Sequence, residues 1–258
     1  MRRNFFSMTR VLNFLALLAA AAVAGCATAS SHRDRIQLTA TLLSPHDIEL
    51  KWTDPVPGAA GYTIEWTPDE QSEYVVVAFL PPYTNSFIHP DLMPLTTCHY
   101  RVRAFYGPAS TPVEVSLPSA LSDTEYAARY EAPEDFNWAV PQVVPGEGTV
   151  SKHSIRNPAT PTDGTPADLK AELMPITVSG FKLTWTDHAS DEEGYMLEMK
   201  RDAAPDFEVK ALTEPDVNSF GYAFEPPMRH ASYRVRAFYF SKPSNMVRRT
   251  TGPEAAPH

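Results

Sequence analysis

The heptapeptide Tyr-Arg-Val-Arg-Ala-Phe-Tyr occurs twice, from Tyr100 to Tyr106 and from Tyr233 to Tyr239. The same 133-residue offset joins Trp52-Thr53-Asp54 to Trp185-Thr186-Asp187 and Gly61-Tyr62 to Gly194-Tyr195. Three separated strings in one register mark a tandem repeat, so whatever one unit folds into, the chain contains twice. The units span residues 36–122 and 161–251, each about 90 residues and large enough to bury a core.

Both units alternate apolar and polar residues with period two, the signature of strands with one buried face. Ile48, Leu50 and Trp52 share a face in the first unit, and Phe181, Leu183 and Trp185 share it in the second. A further strand opens at Gly61 with Tyr62, Ile64 and Trp66 inward, and its copy opens at Gly194 with Tyr195, Leu197 and Met199 inward. In the heptapeptide, Tyr100, Val102, Ala104 and Tyr106 point one way, while Arg101, Arg103 and Phe105 point the other. The 25 prolines against 11 glycines sit between apolar runs, as they do in strand-and-loop proteins.

These residues resemble the fibronectin type III family. The resemblance rests on Ile48 to Asp54, Gly61 to Glu65, Leu92-Met93-Pro94 and the Tyr-Arg-Val-Arg-Ala run, with Pro166 to Ala171 and Pro243-Ser244-Asn245 added by the second unit. It implies an all-β chain of two tandem immunoglobulin-like sandwiches. It also implies a tyrosine at the turn into the sixth strand, whose hydroxyl anchors that turn. The matching positions here are Cys98 and Ala231, so a looser turn is expected, held by packing around Leu92 and Phe224.

Residues 1–25 read as a signal peptide. Arg2, Arg3 and Arg10 precede an apolar stretch from Val11 to Ala24, shorter than the roughly 20 residues a membrane helix requires. The stretch ends at Val23-Ala24-Gly25-Cys26, which resembles the lipobox of bacterial lipoproteins. That resemblance implies acylation at Cys26, a bilayer as partner and a tether over 26–35. With Ala27 rather than aspartate next, it also implies the outer membrane of the cell envelope. The other reading is a secretory signal with an incidental cysteine. Cys98 then has no intramolecular partner and is expected to be a buried small residue.

Without residues 1–25 the chain holds 19 basic residues against 31 acidic ones, a net charge of −12. This balance excludes nucleic acid as a partner. No nucleophile-elbow, zincin, phosphate-loop, paired-cysteine or EF-hand string is present, so no catalytic residue, cofactor or metal is assigned. The nearest approach to a metal site is Asp187, Asp191, Glu192 and Glu193, whose spacing fits no calcium loop and suits a solvated loop. Glu65 and Glu198 should meet Arg101 or Arg103 and Arg234 or Arg236 across neighbouring strands, contributing little if exposed.

Two segments break the repeat. Aligning Ser116-Leu117-Pro118-Ser119 with Ser241-Lys242-Pro243-Ser244 gives the first unit an eight-residue insertion after Tyr106, a candidate binding loop. Residues 123–160 form an acidic, proline-punctuated linker with Tyr126, Tyr130, Phe136 and Trp138 as candidate partner-binding residues. These aromatics either pack back on the sandwiches or form a docking strip. Residues 252–258 read as a disordered tail. The function expected is a non-catalytic protein-binding or scaffolding module with an envelope protein partner. A passive spacer or surface-coat protein, or a carbohydrate- or peptidoglycan-binding accessory, is the alternative.

Overall fold

The computed structural model describes residues 36–53, 56–117, 164–173, 180–223 and 228–253. The signal peptide, Cys26, the linker aromatics Tyr126, Tyr130, Phe136 and Trp138, Phe224 and residues 254–258 lie outside them.

The described residues of the first repeat form β1 (Leu38–Leu42), β2 (Ile48–Trp52), β3 (Gly61–Thr67), β4 (Val75–Leu80), β5 (Ser86–His89), β6 (Thr97–Tyr106) and β7 (Val113–Ser116). The second gives β8 (Ala167–Leu173), β9 (Gly180–Thr186), β10 (Gly194–Lys200), β11 (Glu208–Thr213), β12 (Ser219–Ala223), β13 (His230–Phe240) and β14 (Val247–Thr250). The period-two faces are realised as the sequence predicts. Tyr62, Ile64, Tyr100, Val102 and Ala104 are buried in the first core, and Tyr195, Leu197, Met199, Tyr233 and Val235 in the second. Each core has a tilted Trp–Tyr pair, Trp52 with Tyr62 at 5.5 Å and Trp185 with Tyr195 at 5.3 Å. The chain is all-β, with two immunoglobulin-like sandwiches of fibronectin type III strand order. In each, a three-stranded sheet (β1-β2-β5 or β12-β9-β8) covers one face of a larger sheet.

The last strand of each repeat is delivered to the other. Strand β7 pairs with β13, Val113 opposite Tyr233, and β14 pairs with β6, Val247 opposite Tyr100. The two crossings repeat each other closely. Ser110 donates its N–H to Val235 O (2.7 Å) and accepts from Val235 N (3.1 Å). Ser244 does the same with Val102, at 2.8 and 3.0 Å. Between the crossings β13 and β6 pair directly at Tyr239–Tyr106, where the two rings stack 5.3 Å apart. The result is one continuous sheet, β11-β10-β13-β6-β3-β4, carrying β14 on β6 and β7 on β13. Gly107 marks the closest approach, because a Cβ there would lie 1.8 Å from Ala237 O.

This register overturns the expected insertion. Ser110 occupies the place of Ser244, so six residues lie between Tyr106 and Val113 and seven between the matching Tyr239 and Val247, and the second stretch is longer by one residue.

The exchange also explains a turn with no tyrosine corner. The turn before β6 is held by hydrogen bonds from the exchanged strand's end, with Leu92 packed against the first core as expected. Thr251 Oγ1 donates to Met93 O (2.6 Å) and accepts from Thr96 N (2.8 Å), while Leu95 N donates to Gly252 O (3.1 Å). Cys98 sits beneath, free and buried as expected. Replacing Thr251 with valine leaves a carbonyl and an amide without partners. We expect thermal or urea melts to show a loss of about 2 kcal/mol, and an unchanged midpoint would remove Thr251 from this role.

Candidate functional site

The face of the large sheet that carries the arginines was expected to be exposed, and it is buried. Val76, Phe105, Met196, Val209, Leu212, Phe238 and Phe240 form a third apolar cluster on this face, with residues from both repeats. Strands β4 and β11 come together at its margin, where the Tyr83 hydroxyl donates to Asp206. Of the arginine–glutamate pairs predicted across neighbouring strands, Glu65, Glu198, Arg103 and Arg236 are therefore buried, and Arg101 and Arg234 are half-buried at the margin. Glu198 accepts from Arg234 Nε, Arg236 Nε (2.8 Å) and Arg236 Nη2 (3.2 Å), and Arg236 Nη1 donates to Gly107 O (2.5 Å).

Glu65 pairs with Arg101 and lies 3.3 Å from Arg103 Nε, but that N–H is not aimed at the carboxylate. Arg103 instead stands over the Phe240 ring, 5.6 Å from its centre. These groups link neighbouring strands of the large sheet, and each carboxylate sits against the two arginines of its own repeat. They do not form the open anion ladder that a row of arginines could suggest.

A second cluster brings Asp187, Glu192 and Asp216 together, with one oxygen of each within 4.8 Å of the others. The sequence pointed to Asp187 and Glu192, but the third partner comes from the turn after β11. Asp216 is at φ 59, and its N–H donates to Glu192 Oε1 (3.1 Å). The Tyr195 hydroxyl donates to Asp187 Oδ1, and burial and that carboxylate hold the phenol far above its usual range. Oxygen ligands of this kind suit a hard divalent cation. Their present hydrogen bonds account for the geometry without one.

The third cluster is the end of the first sandwich remote from the β6–β13 junction. Loop 43–47, loop 90–96 and the residues after β14 are tied together there, with Leu92 N donating to His46 O (2.9 Å) and Gly252 N to Pro45 O (2.8 Å). This rigid end presents Leu42, Leu43, Met93 and Leu95. The last two are 75% and 71% exposed, too much for packing to explain their apolar character. Leu95 and Asp91 adopt φ of 54 and 56, a conformation that costs a non-glycine residue about 1 kcal/mol and persists only where the surroundings impose it. Beside them a groove of about 450 Å³ runs between β1 and β14, lined by Thr41, Leu42, Arg248, Arg249 and Thr250.

His89, on the first sandwich's outer sheet, carries a pH dependence. Burial holds Tyr100 protonated well above its usual range, and its hydroxyl is hydrogen-bonded to His89 Nδ1 (2.9 Å). Burial also lowers the His89 pKa below 6.5. Above that pH the ring is neutral in both folded and unfolded chains and stability is complete. As pH falls below 6.5 the unfolded chain takes up a proton that the folded one refuses, and stability declines until the folded pKa is passed. A His89→Gln variant is expected to flatten this part of a plot of melting temperature against pH, and an unchanged slope would assign it to other groups.

No family model matches the chain, and no curated protein matches it. Among solved structures it is similar to the crystal structure of the chicken CNTN1 FN1–FN3 domains. The identity is 15% over 84% of this chain and 67% of that one, with a TM-score of 0.27. It is also similar to a two fibronectin type III domain segment from chicken tenascin. There the identity is 14% over 84% of this chain and 100% of that one, with a TM-score of 0.26.

Proposed function

We propose that this chain is a lipid-anchored, non-catalytic protein-binding and scaffolding module of a bacterial cell envelope. The observation that carries the scaffolding reading is the reciprocal strand exchange. Two sandwiches joined only by a linker would be free to reorient. Here the shared sheet and the third apolar cluster join them into one compact unit that begins at Ile36. Such a unit can hold bound partners at a fixed spacing. The anchor is inferred from the run ending at Cys26, and the placement at the outer membrane from Ala27.

Two experiments test this reading. Cys26→Ser should move the protein from the detergent phase to the aqueous phase in phase partitioning, and retention in the detergent phase would exclude acylation at that thiol. Crosslinking in native envelopes should capture an envelope protein. Comparison with a variant carrying alanine at Tyr126, Tyr130, Phe136 and Trp138 then tells whether the linker aromatics or the sandwiches hold it. Capture of nothing by either chain would favour a passive spacer.

A further inference from the structure

We propose that the groove between β1 and β14 is a docking site for an acidic, aliphatic-containing segment of a protein partner, with Arg248 and Arg249 as the charge-recognising residues. The inference rests on the protein-binding reading above and names the class of partner.

Three observations carry it. The first is charge. The chain has a net charge of −9, and Arg101, Arg103, Arg234 and Arg236 are all taken by Glu65 or Glu198. Arg248 and Arg249 are exposed, and neither forms an ion pair with any carboxylate among the described residues. An acidic segment is repelled by most of this surface and attracted here, which sets where it can land.

The second is the comparison within the chain. Strand β7 occupies the same place in the other sandwich, and the residues matching Arg248, Arg249 and Thr250 are Glu114, Val115 and Ser116. Val115 is buried in the core, and Glu114 is engaged by Ser232 and His230. The fold is thus built once without arginines at these positions, so they are not a requirement of the strand.

The third is the surroundings. β14 is an edge strand at the seam between two sheets, so both of its faces border the groove. Arg249 Nε donates to Ala40 O (2.7 Å), which fixes its stem while the outer nitrogens stay available. Thr41 and Thr250 line the groove with hydroxyls, and Leu42 offers apolar surface at 39% exposure. Guanidinium forks beside an aliphatic side chain suit carboxylates separated by aliphatic residues.

The test is to pan a phage-displayed library of random dodecapeptides against the intact chain and measure the selected peptides by fluorescence anisotropy. Peptides rich in Asp and Glu with interspersed Leu, Ile or Val are expected. They should bind at least tenfold more weakly to Arg248→Glu, a substitution at an exposed side chain that leaves the melting temperature unchanged, and more weakly as salt is raised. Leu42→Ser should weaken the same peptides without changing their salt dependence.

Selection of non-acidic peptides, or of acidic ones indifferent to Arg248→Glu, would overturn the groove while leaving a protein-binding module in place. Selection of nothing would count against both. Binding of phosphatidylglycerol vesicles that depends on Arg248, with no peptide selected, would replace the protein segment by a membrane surface.

Discussion

An Arg249→Cys variant in a Cys26→Ser background should form a disulfide with Cys98, and that bond should join the two halves of the chain after the segment between them is cut. Arg249 lies directly opposite Cys98 in the β14–β6 register. Facing residues of an antiparallel pair have Cα atoms about 4.5–5.5 Å apart, within the span a disulfide bridges. With a protease site placed between Pro118 and Asp163, cleavage and non-reducing electrophoresis should give a single full-length band. Each sandwich could instead keep its own last strand. Position 249 would then face Ala231, no bond would form, and two separate bands would refute the exchange. Few substitutions give so complete a difference, because the outcome is a covalent connection rather than a shift in stability.

The second large effect concerns the buried carboxylate on β10. Glu198 is 3% exposed and balances Arg234 and Arg236. Glu198→Ala leaves two guanidiniums without their counter-charge, one of them inside the protein. Breaking a buried pair in this way costs about 3–5 kcal/mol, a large part of the roughly 5–15 kcal/mol that holds a domain together. Urea melts should show the midpoint falling accordingly.

Glu65→Ala should cost less, since Arg103 Nε does not point its hydrogen at Glu65 and the Phe240 ring already shares that charge. Equal losses at the two positions would mean that the repeats balance their charges alike. An Arg236→Met, Glu198→Leu double variant should recover much of the single loss, because apolar groups of similar volume often replace a buried pair at little cost.

The sequence displayed the strands and their faces because alternation is local. Each inward residue from Tyr62 to Met199 needed only its neighbours at i±2 to be recognised. It did not display the exchange, and the reason is the repeat itself. The acceptor strands β6 and β13 carry the same heptapeptide, and the donors β7 and β14 meet it through the same serine contact. Either donor fits either acceptor by pattern alone, so the choice depends on connections and long-range packing that no window of sequence contains.

Burial of the Glu65 and Glu198 pairs was hidden for the same reason. Their face reads as solvent-exposed until the third apolar cluster, built from both repeats, is known to cover it. Asp187 and Glu192 were visible as neighbours, whereas Asp216 joined them only through the turn after β11. The arginines at 248 and 249 were plain in the sequence, but their groove needed β1 from the other repeat to form its second wall.

The place of β14 in the sheet also governs the order in which the molecule can be completed. The first sandwich is assembled from residues near the start of the described chain, yet its closing strand spans Val247–Thr250. A nascent or partly threaded chain therefore has an unsatisfied edge along β6 until Val247–Thr250 has arrived. Pairings so distant in sequence form slowly. Ending the chain before Val247 would leave every strand of the second sandwich in place and open the first instead, so damage in the second repeat would be felt in the sandwich built from the first.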